Sequence, residues 1–125
     1  MQFIATCPIC GQQETFFAED AYHSWRDSLH APSCQYGYAA TRERALAEAI
    51  FSLYSRDEMR TIAVHEIAPA NRGISAWLKQ NCVNLTQSGY FPDRSFAEMV
   101  GDLRNENMEK QTFAGGSFAL VVHLD

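Results

Sequence analysis

The 125 residues are 46% hydrophobic and 20% charged, a globular composition with enough length for a core and too apolar for a disordered chain. A net charge of -5 disfavours non-specific binding to nucleic-acid backbones, which needs clustered Lys and Arg, but leaves room for a nucleotide-sized ligand held by local groups. No apolar run approaches the roughly 20 residues of a membrane span, and the first residues lack the basic and apolar regions of a secretory signal, so the expectation is a cytoplasmic protein with no membrane partner.

Residues 1–40 are rich in Cys, His, Tyr and Pro without sustained periodicity, which predicts short strands and turns. Residues 41–56 predict a helix, with Thr41 as cap and Glu43 in the first turn. Ala45, Leu46, Ala49, Ile50, Leu53 and Tyr54 would form its apolar face. Residues 61–67 are short, β-branched and mostly apolar, as a buried parallel strand requires. Pro69, Asn71 and Gly73 mark a turn, and Ile74, Trp77 and Leu78 then follow helical spacing. Residues 83–86 suggest a second strand. Ser95 with Glu98 fits a capping box, and Phe96, Met99, Val100 and Leu103 would be the apolar face of the helix it opens. Residues 117–124 are apolar on both alternating sets, which predicts a central strand covered on both faces. Strands alternating with helices predict an α/β sheet with right-handed crossovers. His65 and His123 lie in apolar strands and read as core or near-core residues, and Trp77, Phe16 and Phe17 read as packing.

Cys7, Pro8, Ile9, Cys10 and Gly11 form a knuckle. Two thiolates at this spacing can bind one tetrahedral ion, and the glycine allows the tight turn behind them. Cys34 is in useful range, with His30 four residues earlier and His23 further off. Cys7, Cys10, Cys34 and His30 therefore make a chemically reasonable zinc site; the alternative is buried thiols beside a surface histidine. In a reducing compartment four cysteines point to metal or burial before disulfides. Cys82 reads as a core residue.

The run from Val64 through His65, Glu66, Ile67, Ala68, Pro69, Asn71, Arg72 and Gly73 to Ser75 resembles the first strand and cofactor loop of a bacterial subfamily of class I S-adenosylmethionine-dependent methyltransferases. Further resemblances follow in order. Tyr90, Phe91, Pro92 and Asp93 resemble the turn after the second strand. Arg104 to Glu109 resemble the adenine-side loop after the third, and Thr112, Phe113 and Ser117 to Val122 the approach to the fourth. Upstream, Cys7 and Cys10 followed by Arg42, Glu43, Arg44, Ala45 and Leu46 resemble a leader with two cysteine pairs and an "RERAL" sequence. There are departures. Ala31 stands where the family's second pair would have a cysteine, leaving His30, one residue away, as its substitute. Gly116 and Ala119 replace acidic residues.

The resemblance implies a zinc-ribbon-like segment over residues 1–40 and a partial class I methyltransferase-like domain over 41–125, a partial Rossmann-like parallel sheet with flanking helices. It implies an S-adenosylmethionine site in which Glu66 and the turn to Gly73 approach the methionine moiety, Asp93 accepts the ribose hydroxyls, and Glu106, Asn107 and Met108 read the adenine. The sequence reaches only the fourth strand of the family's order, so weak or absent methyl transfer is expected of the chain alone. The alternative readings are Glu66 as a solvated strand-end carboxylate, Asp93 as a turn residue, and residues 105–109 as a solvated helix face. The rival functions are a non-enzymatic zinc- or nucleotide-binding module and a subunit whose bare sheet edge is completed by another chain or by a second copy.

Overall fold

A computed structural model describes residues 1–18, 29–37 and 39–124. In chain order the elements among them are β1 (Gln2–Thr6), β2 (Gln13–Phe17), α1 (Thr41–Leu53), α2 (Arg56–Met59), β3 (Val64–Ile67), α3 (Ile74–Asn81), β4 (Leu85–Gly89), β5 (Met99–Val100), β6 (Leu103–Asn105) and β7 (Leu120–His123). They divide into two compact units, one of Met1–Ser55 with Ala70–Gln80 and one of Arg56–Pro69 with Asn81–Asp125. No helix among the described residues is long and apolar enough to cross a membrane.

In the first unit β1 and β2 pair antiparallel, from Gln2 opposite Phe17 to Thr6 opposite Gln13. The short strands and turns expected at the N-terminus are present. Helix α1 differs from expectation at both ends and on its buried face. Thr41 is its first helical residue and not its cap; Ala40 occupies the cap position, and the Glu43 side chain reaches back to accept the Ala40 N–H at 2.6 Å. That interaction is the acidic half of a capping box. The helix ends at Leu53, and its buried residues are Glu43, Arg44, Ala47 and Ile50. Ala45, Ala49 and Leu53 face solvent. The buried stripe is rotated because two charged side chains find internal partners, which apolar spacing does not reveal. Arg72 donates from Nε to Glu43 at 2.9 Å, and Arg44 binds backbone carbonyls. In α3, Ile74, Trp77 and Leu78 are buried as their spacing predicts. Trp77 meets Phe51 edge to face at 4.9 Å between ring centres, a favoured aromatic geometry.

The second unit is built on a five-stranded sheet in the order β5-β6-β4-β3-β7. β3 runs parallel to β4 and to β7, and β4 runs parallel to β6; β5 joins antiparallel to β6. The chain is thus mixed α/β, with four parallel strands and one antiparallel. All four residues of β3 are buried, as expected of a strand with neighbours on both sides. The strand starts at Val64, so Ile62 is only half-buried in the preceding turn. The second strand lies slightly later than expected, at Leu85–Gly89.

The helix expected from Ser95 to Leu103 is replaced by a hairpin. Met99 pairs with Arg104 and Val100 with Leu103, which leaves Gly101 and Asp102 as a two-residue loop. Gly101 has φ 61°, the left-handed conformation that such a loop demands and that glycine adopts without strain. The last strand also differs. Residues 117–119 are not strand, β7 pairs with β3 alone, and Val121 is 53% exposed, so this strand is an edge and not a centre of the described sheet.

Candidate metal centre and cofactor-binding strand ends

The loop between β1 and β2 carries the knuckle. Cys7 donates its N–H to the Gln12 carbonyl and accepts at its own carbonyl from Gly11 N–H, each at 2.8 Å. Gly11 has φ 76°, which closes the turn and directs Cys7 and Cys10 to one side. The third sulfur comes from a tight loop in which Cys34 N–H donates to Ala31, Gly37 N–H to Cys34, and Ala31 N–H to Gly37. Tyr36 N–H donates to the Cys34 sulfur at 3.3 Å.

These loops bring the sulfurs of Cys7, Cys10 and Cys34 within 4.8 Å of one another. Cys7 and Cys34 are 3.9 Å apart. Thiolates bound at about 2.3 Å to a tetrahedral ion stand about 3.8 Å apart, so the Cys7 and Cys34 sulfurs already stand at the spacing zinc requires and Cys10 is within 4.8 Å of both. All four cysteines of the chain are free thiols, and Cys82 is buried in the second unit, where burial first and Glu66 second push its thiol up to about 11. Three close sulfurs can therefore hold a metal ion such as zinc.

The cluster is electrostatically uneven. Burial opposes ionisation of Cys7, but hydrogen bonds from the Cys10 and Ile9 backbone, from the Cys10 side chain and from Arg44 outweigh it and hold this thiol below its ordinary value. Burial pushes Cys34 up to about 12, with the neighbouring Cys10 and Cys7 adding to the shift, and burial also raises Cys10. Crowded thiols of this kind give up their protons to a divalent cation.

His30 does not join the group. Its backbone pairs with Phe17, its ring lies against the Phe17 ring at 6.0 Å, and its nitrogens fall outside the 4.8 Å cluster. His23 lies outside the described residues. Glu14, which the knuckle motif did not suggest, has a carboxylate oxygen 3.8 Å from the Cys10 sulfur and accepts from Ser33 at 2.5 Å. It links the knuckle to the loop that carries Cys34.

In the second unit, parallel pairing puts the carboxyl ends of β3, β4, β6 and β7 along one edge of the sheet. Glu66 sits one residue before the end of β3, 5% exposed, and accepts from Gln87 Nε2 on β4 at 2.7 Å. It is a buried, paired carboxylate and not a solvated one. Ala68 follows with φ 51°, a strained conformation for a residue with a Cβ, and makes the sharp turn after β3. Asp93 is exposed on the turn after β4. That turn is clamped by Asn105, which is fully buried: its Oδ1 accepts from Phe91 N–H at 2.8 Å, and its Nδ2 donates to the carbonyls of Phe91, Arg94 and Ser95.

Glu106 is buried just past β6, and its N–H donates to Gly89 at the end of β4. Burial would raise its pKa, but the Thr112 hydroxyl and N–H, with Arg104, outweigh it and hold the carboxyl below its ordinary value. Residues 107–110 are a turn and not a helix face. Lys110 N–H donates to the Asn107 carbonyl, and Asn107 Oδ1 accepts from Glu109 N–H. Met108 is exposed at its tip. The strand ends thus gather Glu66, Asp93, Glu106, Asn107 and Met108 along one edge. Gly73 belongs to the first unit, where its φ of 57° goes with close packing: a Cβ there would come within 2.9 Å of both Ala39 and the Glu43 carboxylate. Packing against the start of α1 accounts for this glycine.

Of the two histidines expected in or near the core, His65 is fully buried, whereas His123 is exposed because β7 is an edge strand. Comparison of the chain with models of protein families, with curated proteins and with solved structures gives no significant match.

Proposed function

We propose that the chain is an S-adenosylmethionine-binding, methyltransferase-like α/β domain whose N-terminal segment is organised by a zinc ion. The observation that carries the cofactor reading is the strand order. Numbered by appearance, the four parallel strands β3, β4, β6 and β7 lie as 3-2-1-4, the first part of the order of doubly wound nucleotide-binding sheets. Ligands of such sheets lie outside the carboxyl ends of the strands, where the order reverses. Here the acids Glu66 and Asp93 and the turn of Glu106, Asn107 and Met108 stand at those ends. The same residues matched the family motifs in the sequence. In this reading Asp93 meets the ribose, the 106–108 turn meets the adenine, and Glu66 with the turn at Ala68 meets the methionine. When bound, the cofactor supplies an electrophilic methyl group. Binding and orientation are what these side chains contribute.

The test is a calorimetric titration of the full chain with S-adenosylmethionine and its demethylated product. Binding that weakens in both Glu66→Ala and Asp93→Ala, with His123→Ala unchanged, supports the reading. No binding, or binding indifferent to Asp93, removes it. A second reading, a non-enzymatic zinc module, is favoured by the three sulfurs alone. It is the outcome if the chain takes up about one zinc per molecule and no nucleoside.

A further inference from the structure

We propose that Arg44 is the charge-balancing and positioning residue of a three-thiolate metal centre formed by Cys7, Cys10 and Cys34. The inference rests on the zinc reading of these sulfurs and adds a residue that no cysteine spacing would suggest. Arg44 is on α1, only 5% exposed. Its Nη1 donates to the Ala39 carbonyl at 2.7 Å and to Leu29 at 3.3 Å, and its Nη2 to Gly37 at 3.1 Å and Tyr36 at 3.5 Å. Its Cζ lies 5.1 Å from the centre of the buried Phe16 ring. These groups supply dipoles and a π face, but among the described residues no carboxylate forms an ion pair with it. Its buried Nε has no hydrogen-bond partner, and its guanidinium favours the ionised form of the Cys7 thiol.

A buried cation without a counter-charge is costly, and an arginine fork half satisfied by carbonyls still carries its full charge. A divalent ion with three thiolates has one net negative charge. The Glu14 carboxylate beside Cys10 adds a further negative charge, so the buried Arg44 guanidinium is a cation that offsets part of the charge such an assembly would carry. The contacts to Tyr36 and Gly37 serve the same end, because they fix the loop that presents Cys34. Arg44 thus serves the centre in two ways: its charge favours the thiolate form of one ligand, and its hydrogen bonds hold the loop that presents another, as outer-sphere partners of metal sites do.

The experiment is a cobalt(II) titration of the full chain, followed by zinc competition against a chromogenic chelator, on wild type, Arg44→Met and Arg44→Lys. Wild type is expected to bind about one cobalt per chain with sulfur-to-metal charge-transfer bands. Arg44→Met is expected to weaken both metals by about tenfold or more. It should also move the bands to lower energy, because the Cys7 sulfur loses the influence of a buried positive charge. Arg44→Lys keeps the charge and should recover part of the affinity. A purely structural arginine would lower thermal stability and leave the band energy where it is. Arg44→Met binding as wild type does, with unshifted bands, overturns the inference alone. Absence of metal uptake by wild type overturns the zinc reading and this inference with it. If Arg44→Met does not fold, Arg44→Gln, which retains an amide donor without charge, carries the same test of affinity.

Discussion

His65 on β3 and Ser88 on β4 meet through Nε2 and Oγ at 2.7 Å inside the sheet unit, and the other ring nitrogen of His65 has no hydrogen-bond partner. The imidazole is fully buried, with the rings of Phe113 and Phe118 at 4.8 and 5.0 Å. Burial lowers its pKa from the ordinary 6.5; Glu106 opposes the shift and Arg104 reinforces it. The consequence for stability follows from linkage. Above about 6.5 both folded and unfolded chains hold this residue neutral, and it adds no pH dependence. As the pH falls below that value the unfolded chain takes up a proton that the folded chain refuses, so stability drops. The slope for one such proton is at most about 1.4 kcal/mol per pH unit. Urea titrations between pH 7.5 and 5 should show this loss (roughly the window in which histidine titrates), and His65→Gln should flatten it. An unchanged slope in the variant would assign the loss to other groups.

Asn105 makes one accepted and three donated hydrogen bonds to the backbone of residues 91–95 from a fully buried position. Asn105→Ala would leave buried backbone groups unpaired as well as losing the bonds. A destabilisation of about 2–4 kcal/mol is expected, in the range of a lost buried polar network. The turn that carries Asp93 should lose its amide-exchange protection more than β3 does. Asn105→Asp keeps the accepted bond but sets a buried carboxylate oxygen against three carbonyl oxygens, so it should destabilise at least as much as Asn105→Ala.

Ala68 offers a test of opposite sign. Its φ of 51° costs a residue with a Cβ about 1–2 kcal/mol relative to the right-handed conformation. Ala68→Gly removes that strain and adds freedom to the unfolded chain, and the two effects partly cancel. The expected outcome is a thermal midpoint equal to or slightly above that of wild type. Ala68→Val, β-branched at the same φ, should be clearly less stable. If both variants are destabilised alike, the turn is held by packing and not limited by its dihedral.

How much of this was legible in the sequence depended on whether one short rule governed each segment. The β-branched run in β3 and the spacing of Ile74, Trp77 and Leu78 were read correctly because burial of apolar groups alone decides them. Residues 95–105 obey two rules at once. The capping pair and the helical spacing of Phe96, Met99, Val100 and Leu103 are present, and so is Gly101-Asp102 between the apolar pair Met99-Val100 and Leu103, the signal of a two-residue hairpin. The glycine decides between them, because its left-handed φ suits the hairpin loop and not a helix. The knuckle of Cys7 and Cys10 was visible from spacing. Glu43, Arg44 and Asn105 were not, because nothing local distinguishes a solvated polar residue from one whose partners arrive from distant segments. For the same reason His30 looked like a ligand when it was a strand neighbour of Phe17.

Gly37 separates support of the metal centre from its chemistry. It supplies no ligand, yet a Cβ added there would stand 2.2 Å from the Ala31 carbonyl oxygen and 2.9 Å from that of Cys34. Both are backbone atoms of the loop that presents the third sulfur, and neither can swing aside as a side-chain end would. The same glycine donates its N–H to Cys34, accepts from Ala31, and receives Arg44 Nη2 at its carbonyl. Gly37→Ala must therefore open the loop, and the displacement falls on Cys34 while the knuckle of Cys7 and Cys10 is untouched. The expected result is a loss of metal affinity approaching that of Cys34→Ser, with amide-exchange protection retained for the β1 and β2 pairing. Gly11→Ala strains the knuckle instead, through its positive φ, and should disturb Cys7 and Cys10. Zinc competition on the two variants, with cobalt spectra as the count of bound thiolates, reads the difference. Gly37→Ala with three thiolates bound and wild-type affinity would show that the loop yields more easily than its backbone contacts imply.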